Sequence, residues 1–84
     1  MKNKVLVEIS IPHLDKIYNV YLPLNKNVAN IIILIEKAIC DIENLENISF
    51  KECSLYNSET ALPYPPNTII RTSNIRNGTK LILI

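Results

Sequence analysis

His13, the only histidine of the chain, stands two positions before Asp15 in a short polar segment. A carboxylate beside an imidazole can orient it as a general base, so this pair has the residue types for proton abstraction. Nucleophilic catalysis would also need a serine, threonine or cysteine within reach of His13, and the spacing ties none to it. We therefore expect a solvated histidine in a turn and a protein that is not an enzyme.

Cys40 and Cys53 are the only cysteines, and thiols at suitable spacing could hold a metal or form a disulfide. The two residues form neither a Cys-x-x-Cys motif nor any other metal-ligand spacing. Two cysteines also cannot build the disulfide framework of a small secreted domain. The sequence predicts reduced thiols with a structural role.

Asp41, Glu43 and Glu46 form an acidic cluster at the end of a predicted helix. Carboxylates are calcium ligands, but a calcium site of this kind needs a loop geometry with glycine, which this segment lacks. We expect a solvated acidic face, with neither a metal nor any other cofactor bound to the chain.

The composition indicates one small domain over residues 1–84. With 84 residues, of which 48% are hydrophobic, the chain can bury one core. The formal net charge is +1 with acids and bases interleaved, whereas nucleic-acid binding needs a clustered basic face. No motif indicates a small-molecule substrate. We expect a protein that works through protein partners.

The apolar runs indicate a cytoplasmic protein. The longest one, Ile31 to Ile35, is far shorter than a membrane-spanning helix. The N-terminus begins like a signal peptide but meets Glu8 after three apolar residues, too few for export.

Alternating apolar and polar residues predict a β-hairpin at the start of the chain. Val5, Val7, Ile9 and Ile11 share one face of the first strand, which Pro12 ends. In the second strand, one face carries Tyr18, Val20, Leu22 and Leu24, and the other carries Asn19 and Tyr21. Pro23 indicates that this strand has a free edge near its end.

The period becomes helical at Val28, and Asn27 is the predicted N-cap. One stripe of the helix collects its apolar residues: Val28, Ile31, Ile32, Ile35, Ala38, Ile39 and Ile42. Asn44 or Asn47 is expected to end it, because asparagine tolerates the left-handed cap conformation. Ile33 projects almost opposite Ile35, at about 100° per residue, and is expected to be exposed.

The second half of the chain reads as short strands and turns. We expect a third strand over Cys53–Tyr56, a turn over Asn57–Thr60, an edge strand over Ala61–Tyr64, and a helical turn within Thr68–Ile75 that buries Ile69 or Ile70 together with Ile75. Thr79–Ile84 follows the Asn77-Gly78 turn and is apolar on both faces. This pattern is typical of a central strand, here beside the first.

This order of elements is that of a β-grasp fold, and the chain resembles the YukD and EsaB family of ubiquitin-like proteins. The resemblance rests on Val5–Pro12, Tyr18–Pro23, Leu55-Tyr56 followed by Ser58-Glu59-Thr60, and Ile75–Ile84. It covers nearly the whole chain. The sequence departs from the pattern at Ala61, where a glycine would suit the turn better, and at Tyr64-Pro65-Pro66.

The resemblance implies an α+β, ubiquitin-like fold, with a mixed sheet of four to five strands packed on one helix. It also implies an accessory or regulatory role in type VII secretion of Gram-positive bacteria, at the inner face of the membrane through secretion-system components. Conjugating ubiquitins need a flexible tail ending in two glycines, and this chain ends on a strand, so we expect no conjugation. The alternative is a free-standing β-grasp adaptor that regulates an unrelated enzyme or toxin.

Two surfaces are candidate protein-binding sites. One is the outer helix face around Ile33, Lys37 and Cys40, and the other is the sheet face that carries Asn19 and Tyr21. Ubiquitin-like proteins often bind partners through the sheet, which favours the second. We favour the helix face, because an interface or a homodimer that buries Ile33 would offset the cost of exposing it.

Overall fold

The fold is a four-stranded sheet packed on one helix. The computed structural model describes residues 3–46 and 48–84. Its elements are β1 (Lys4–Ile11), β2 (Lys16–Pro23), α1 (Val28–Glu43), β3 (Leu55–Asn57) and β4 (Lys80–Leu83). The strand order is β2-β1-β4-β3; β1 is parallel to β4, and the other two pairs are antiparallel. The predicted β-grasp architecture is confirmed, with β4 beside β1 in the middle of the sheet.

The predicted hairpin of β1 and β2 is present along its full length. The register pairs Lys4 with Pro23 at one end and Ile11 with Lys16 at the other. A 3₁₀ turn over Pro12–Leu14 joins the strands, and Asp15 closes it in the left-handed conformation with a φ of 53°. As predicted, β2 lies at an edge of the sheet and carries Pro23.

The helix begins and ends where its cap residues predict. The side chain of Asn27 accepts a hydrogen bond of 2.9 Å from the backbone N–H of Asn30, and Asn44 has a left-handed φ of 55°. The alternative cap, Asn47, lies outside the described residues. The free amides of Val28 and Ala29 donate to carbonyl groups of the 66–68 loop.

The apolar stripe of α1 is narrower and shorter than predicted. The buried helix residues are Val28, Ile31, Ile35 and Ile39. Ile32 is half-buried and Ala38 is exposed. The prediction is wrong for Ile42, which is 66% exposed: burial ends at Ile39, so the last turn of the helix extends past the core.

The second half contains one strand fewer than the longest prediction allowed. β3 starts two residues later than predicted. The expected edge strand over 61–64 is only an isolated bridge between Tyr56 and Pro63. Ala61, where a glycine was expected to fit better, has a φ of 59°.

The core lies between the sheet and α1. A 3₁₀ turn over Ile70–Thr72 brings Ile70 into it, and Ile75 is also fully buried, whereas Ile69 is 37% exposed. Leu81 and Leu83 of β4 complete the core beneath the helix. Among the described residues, no helix has the length and apolar character that crossing a membrane requires.

Candidate protein-binding surfaces

The side chains that could take part in catalysis or metal binding are scattered over the fold. His13 is exposed in the turn after β1, as predicted. Cys40 and Cys53 are free and half-buried. Within residues 3–46 and 48–84, no three His, Cys, Asp or Glu side chains stand close enough to hold a metal ion.

The predicted solvated acidic face is wrong for Glu43, which makes specific contacts with β2. Its carboxylate accepts hydrogen bonds from Nζ of Lys16 at 2.6 Å and from the hydroxyl of Tyr18 at 2.8 Å. The bond from Lys16, followed by that from Tyr18, lowers the pKa of Glu43, and the same contact with Glu43 raises the pKa of Lys16. The last turn of α1 is therefore tied to the start of β2. Asp41 and Glu46 remain exposed.

Cys53 lies in a segment where burial and charge both keep the thiol protonated. Burial raises its pKa first, and the nearby carboxylates of Glu36 and Glu52 raise it further. Glu36 also accepts a hydrogen bond of 3.1 Å from the backbone N–H of Phe50, which fixes this loop against α1. A thiol in this setting is a poor nucleophile.

The outer helix face is partly covered. Ile33 is 59% exposed, as predicted, and Lys37 is also exposed. Cys40 is half-buried instead, with its sulfur 4.0 Å from the carbonyl oxygen of Ile48. The segment after the helix therefore shields one of the three predicted contact residues and leaves Ile33 and Lys37 available.

The second predicted surface is the sheet face opposite α1. Tyr21 is 52% exposed on it, and Asn19 is exposed in the same strand. The exposed apolar residues Leu6 and Ile17 lie on this face too, because Leu6 pairs with Tyr21 and Ile17 is two residues from Asn19. Apolar side chains thus flank a polar centre.

The predictions missed a third surface, a groove of about 320 Å³ between β2 and α1. Val20 and Leu22 line it from the strand, and Leu34 and Ala38 line it from the helix. Lys4, which pairs with Pro23 at the end of β2, also lines it. The sequence signal for this groove is the pair Leu34 and Ala38, four positions apart on the helix, but the predicted apolar stripe includes Ala38 and so obscures it.

Charge is distributed unevenly between the two ends of the domain. At the end where β2 finishes, the N–H of Leu24 donates to Asn3 and the N–H of Arg71 donates to Leu24, both at 2.9 Å. These bonds bring exposed Lys4 and Arg71 to the same end. Lys26 joins them, because its carbonyl accepts from the adjoining segment. The opposite end, at the hairpin turn and the helix C-terminus, carries Lys16, which is paired with Glu43, together with an excess of carboxylates: Asp15, Asp41, Glu43 and Glu46.

Solved structures with the same architecture assign the fold. A chain of the MycP5-free ESX-5 inner membrane complex superposes with a TM-score of 0.75 at 16% identity, covering 98% of this chain and 21% of that chain. The EccD5 ubiquitin-like domain from Mycobacterium xenopi gives 0.74 at 17% identity, over 96% of this chain and 92% of that one. The fold is that of a ubiquitin-like domain.

The ubiquitin-like fold occurs in proteins of different roles. A chain of a toluene 4-monooxygenase HD complex with an inhibitor superposes with a TM-score of 0.70 at 12% identity, and the match covers 95% of each chain. No protein-family profile matches the sequence, and no curated protein matches it. The present chain spans about one fifth of the ESX-5 chain, 21% of its length.

Proposed function

We propose that this ubiquitin-like protein is an accessory or regulatory component of a bacterial type VII secretion system, of the YukD and EsaB kind, and acts by protein contact. The observation that carries the proposal is the likeness, over 98% of the chain, to part of a chain in the ESX-5 inner membrane complex. The likeness to the EccD5 ubiquitin-like domain supports it. In this proposal the protein sits on the cytoplasmic side of the membrane complex.

The proposed role involves no catalysis. The candidate base, His13, is exposed in a turn. The pKa of Cys53 is raised because the thiol is half-buried and near carboxylates, so its thiol is not activated. A contact role uses what the fold does present, which is exposed apolar side chains such as Ile33 and Tyr21.

A second candidate function is that of an adaptor for an unrelated enzyme. The likeness to a chain of the toluene 4-monooxygenase complex, over 95% of both chains, favours it. In that case the protein would bind an enzyme and not a secretion component. Gene neighbourhood is an inexpensive discriminator, because a membrane ATPase of the secretion type beside the gene supports the first role.

The deciding experiment is capture of the tagged protein, expressed at its native level, from membranes solubilised in a mild detergent. We expect secretion-system components to co-purify, and loss of the gene to reduce export of the system's substrates. Capture of a cytosolic enzyme without any secretion component would refute the proposal in favour of the adaptor role. Ile33→Asp and Tyr21→Asp, run in parallel, report whether the helix face or the sheet face makes the contact.

A further inference from the structure

The outer edge of β2 offers unpaired backbone groups. In the described part of the chain β2 pairs only with β1. Leu24 N–H donates to the carbonyl of Asn3, and hydrogen-bonded pairs alternate along an antiparallel ladder. The backbone N–H and C=O groups of Tyr18, Val20 and Leu22 therefore point to β1. Those of the residues between them, Ile17, Asn19 and Tyr21, point away from the sheet.

The other edge of the sheet is covered. The N–H of Asn57 donates to Leu62 at 3.0 Å, and the N–H of Tyr64 donates to Leu55 at 2.8 Å. The segment 62–64 thus occupies the outer side of β3. The edge open to an additional strand is therefore the outer edge of β2, up to Pro23, which has no N–H to donate to it.

The groove beside β2 can receive the side chains of such a strand. Alternate side chains of an added strand project to the helix side of the sheet. There they meet Leu34 and Ala38 of α1, and the small side chain of Ala38 leaves room. Leu34 is 44% exposed, so an apolar side chain seated on it would remove apolar surface from water.

Charge at the two ends of the groove selects the occupant. Lys4 lines the groove at its Pro23 end, and Lys26 and Arg71 stand at the same end of the domain. At the other end, Lys16 is already paired with Glu43. We propose that the β2 edge and this groove bind an extended peptide strand with apolar side chains at alternating positions and acidic residues at the end next to Lys4.

This inference rests on the proposed function only in that both require a protein partner. Addition of a strand supplies main-chain hydrogen bonds for affinity, and the groove supplies side-chain specificity. The test therefore uses the purified protein and synthetic peptides, without any secretion component. Peptide binding without capture of secretion components would refute the proposed function alone, and capture without peptide binding would refute this inference alone.

The probes are two short peptides in which valine alternates with threonine. One carries aspartates at its N-terminus, for an antiparallel strand, and the other carries them at its C-terminus, for a parallel one. We expect one of the two to bind and to protect the amides of Ile17, Asn19 and Tyr21 from hydrogen exchange, measured by NMR. A scrambled peptide of the same composition should not bind. If neither probe protects these amides, the inference is wrong.

N-methylation of the peptide separates strand addition from simple apolar contact. Methyl groups on alternate amides remove either the donors that face β2 or the donors that face solvent. We expect one methylated set to abolish binding and the other to leave it unchanged. Equal binding of both sets would contradict strand addition.

Protein variants locate the site. Lys4→Glu should weaken binding about tenfold, since it replaces an attractive charge by a repulsive one. Lys51→Glu is the matched control, because Lys51 is exposed outside the groove, and should leave binding unchanged. Asn19→Pro removes an outward N–H and should weaken binding at least about tenfold. If Asn19→Pro fails to fold, Ala38→Glu fills the groove from an exposed helix position instead.

The remaining occupant to distinguish is a second copy of the chain. If the amides of Ile17, Asn19 and Tyr21 become protected as the concentration of the protein alone rises, two β2 edges pair with each other, and the peptide proposal is overturned. We expect no such concentration dependence.

Discussion

The hydroxyl of Tyr18 donates a 2.8 Å hydrogen bond to Oε1 of Glu43. Lys16, two residues earlier in β2, contacts the other oxygen of the same carboxylate at 2.6 Å. Both oxygens of Glu43 are thus engaged by one strand, and they hold the turn of α1 that extends past the core. The pKa directions of Glu43 and Lys16 make this contact testable by pH.

Glu43→Gln should destabilise the domain at neutral pH and lose its effect in acid. The pKa of Glu43 is lowered in the folded protein from its ordinary 4.5, so the stabilisation is fully present above pH 4.5 and is lost as the pH falls through the folded value. Urea unfolding across this range, with the wild type beside the variant, measures the difference. The same contact weakens in strong base, because Lys16 loses its charge once the pH rises above its raised pKa.

Lys37→Gln is the control for this experiment, because Lys37 is exposed and takes no part in the contact of Glu43 with Lys16 and Tyr18. Its difference from the wild type should stay constant between neutral pH and pH 4. A Glu43→Gln difference that is equally constant would show that Glu43 is not held by Lys16 and Tyr18 in solution.

Ile35→Ala should cost about 2–5 kcal/mol of unfolding free energy, because Ile35 is only 3% exposed and its truncation leaves a cavity. Ile33→Ala, two residues away on the same helix, should cost less than about 1 kcal/mol because Ile33 is 59% exposed. Urea denaturation of both variants makes the comparison. Equal losses of unfolding free energy in the two variants would mean that the helix is rotated about its axis, with Ile33 and Ile35 similarly buried.

Ala61→Gly should stabilise the domain by up to about 1 kcal/mol. Ala61 has a φ of 59°. This left-handed conformation is strained for residues that carry a Cβ atom and is unstrained for glycine. Ala38→Gly makes the same chemical change at an exposed position of α1 and should destabilise by about 0.5–1 kcal/mol. Opposite shifts of the thermal midpoint are expected, and a loss at both positions would contradict the left-handed turn at Ala61.

Cys53 should be alkylated more slowly in the folded protein than in urea at mildly alkaline pH. Burial raises the pKa of its thiol, and the charges of Glu36 and Glu52 raise it further, so less thiolate is present. Glu52→Gln removes one of these charges at an exposed position and should speed the reaction. Mass spectrometry of the modified peptide measures both rates. Faster reaction in the folded state would mean that the thiol is activated.

Local rules predicted most of the fold. The N-cap at Asn27, the exposure of Ile33 and the edge position of β2 each depend on a few neighbouring residues, and the structure agrees with all three. The central position of β4 followed from its apolar character on both faces. These features are set by period and by backbone chemistry, which a sequence shows directly.

What the sequence concealed depends on where elements end in space. Ile42 has the period of the core but lies one turn past the last buried residue of α1. Glu43 looks like one carboxylate of an acidic run, yet the hairpin turn brings Lys16 and Tyr18 to it from a distant segment. The groove beside β2 was hidden for the same reason, since it exists only once β2 and α1 are placed side by side.

The parallel pairing of β1 with β4 has a consequence for synthesis of the protein. The N–H of Leu6 donates to the side chain of Asn77 at 2.8 Å, across 71 positions of sequence. At about 5–20 residues per second, a ribosome needs about 4–14 s to add the missing partner. Throughout that interval the inner edge of β1 is unpaired and its apolar face incomplete. The sheet therefore cannot assemble fully until β4 has been synthesised, and a chaperone that holds extended apolar strands has its opportunity before β4 emerges.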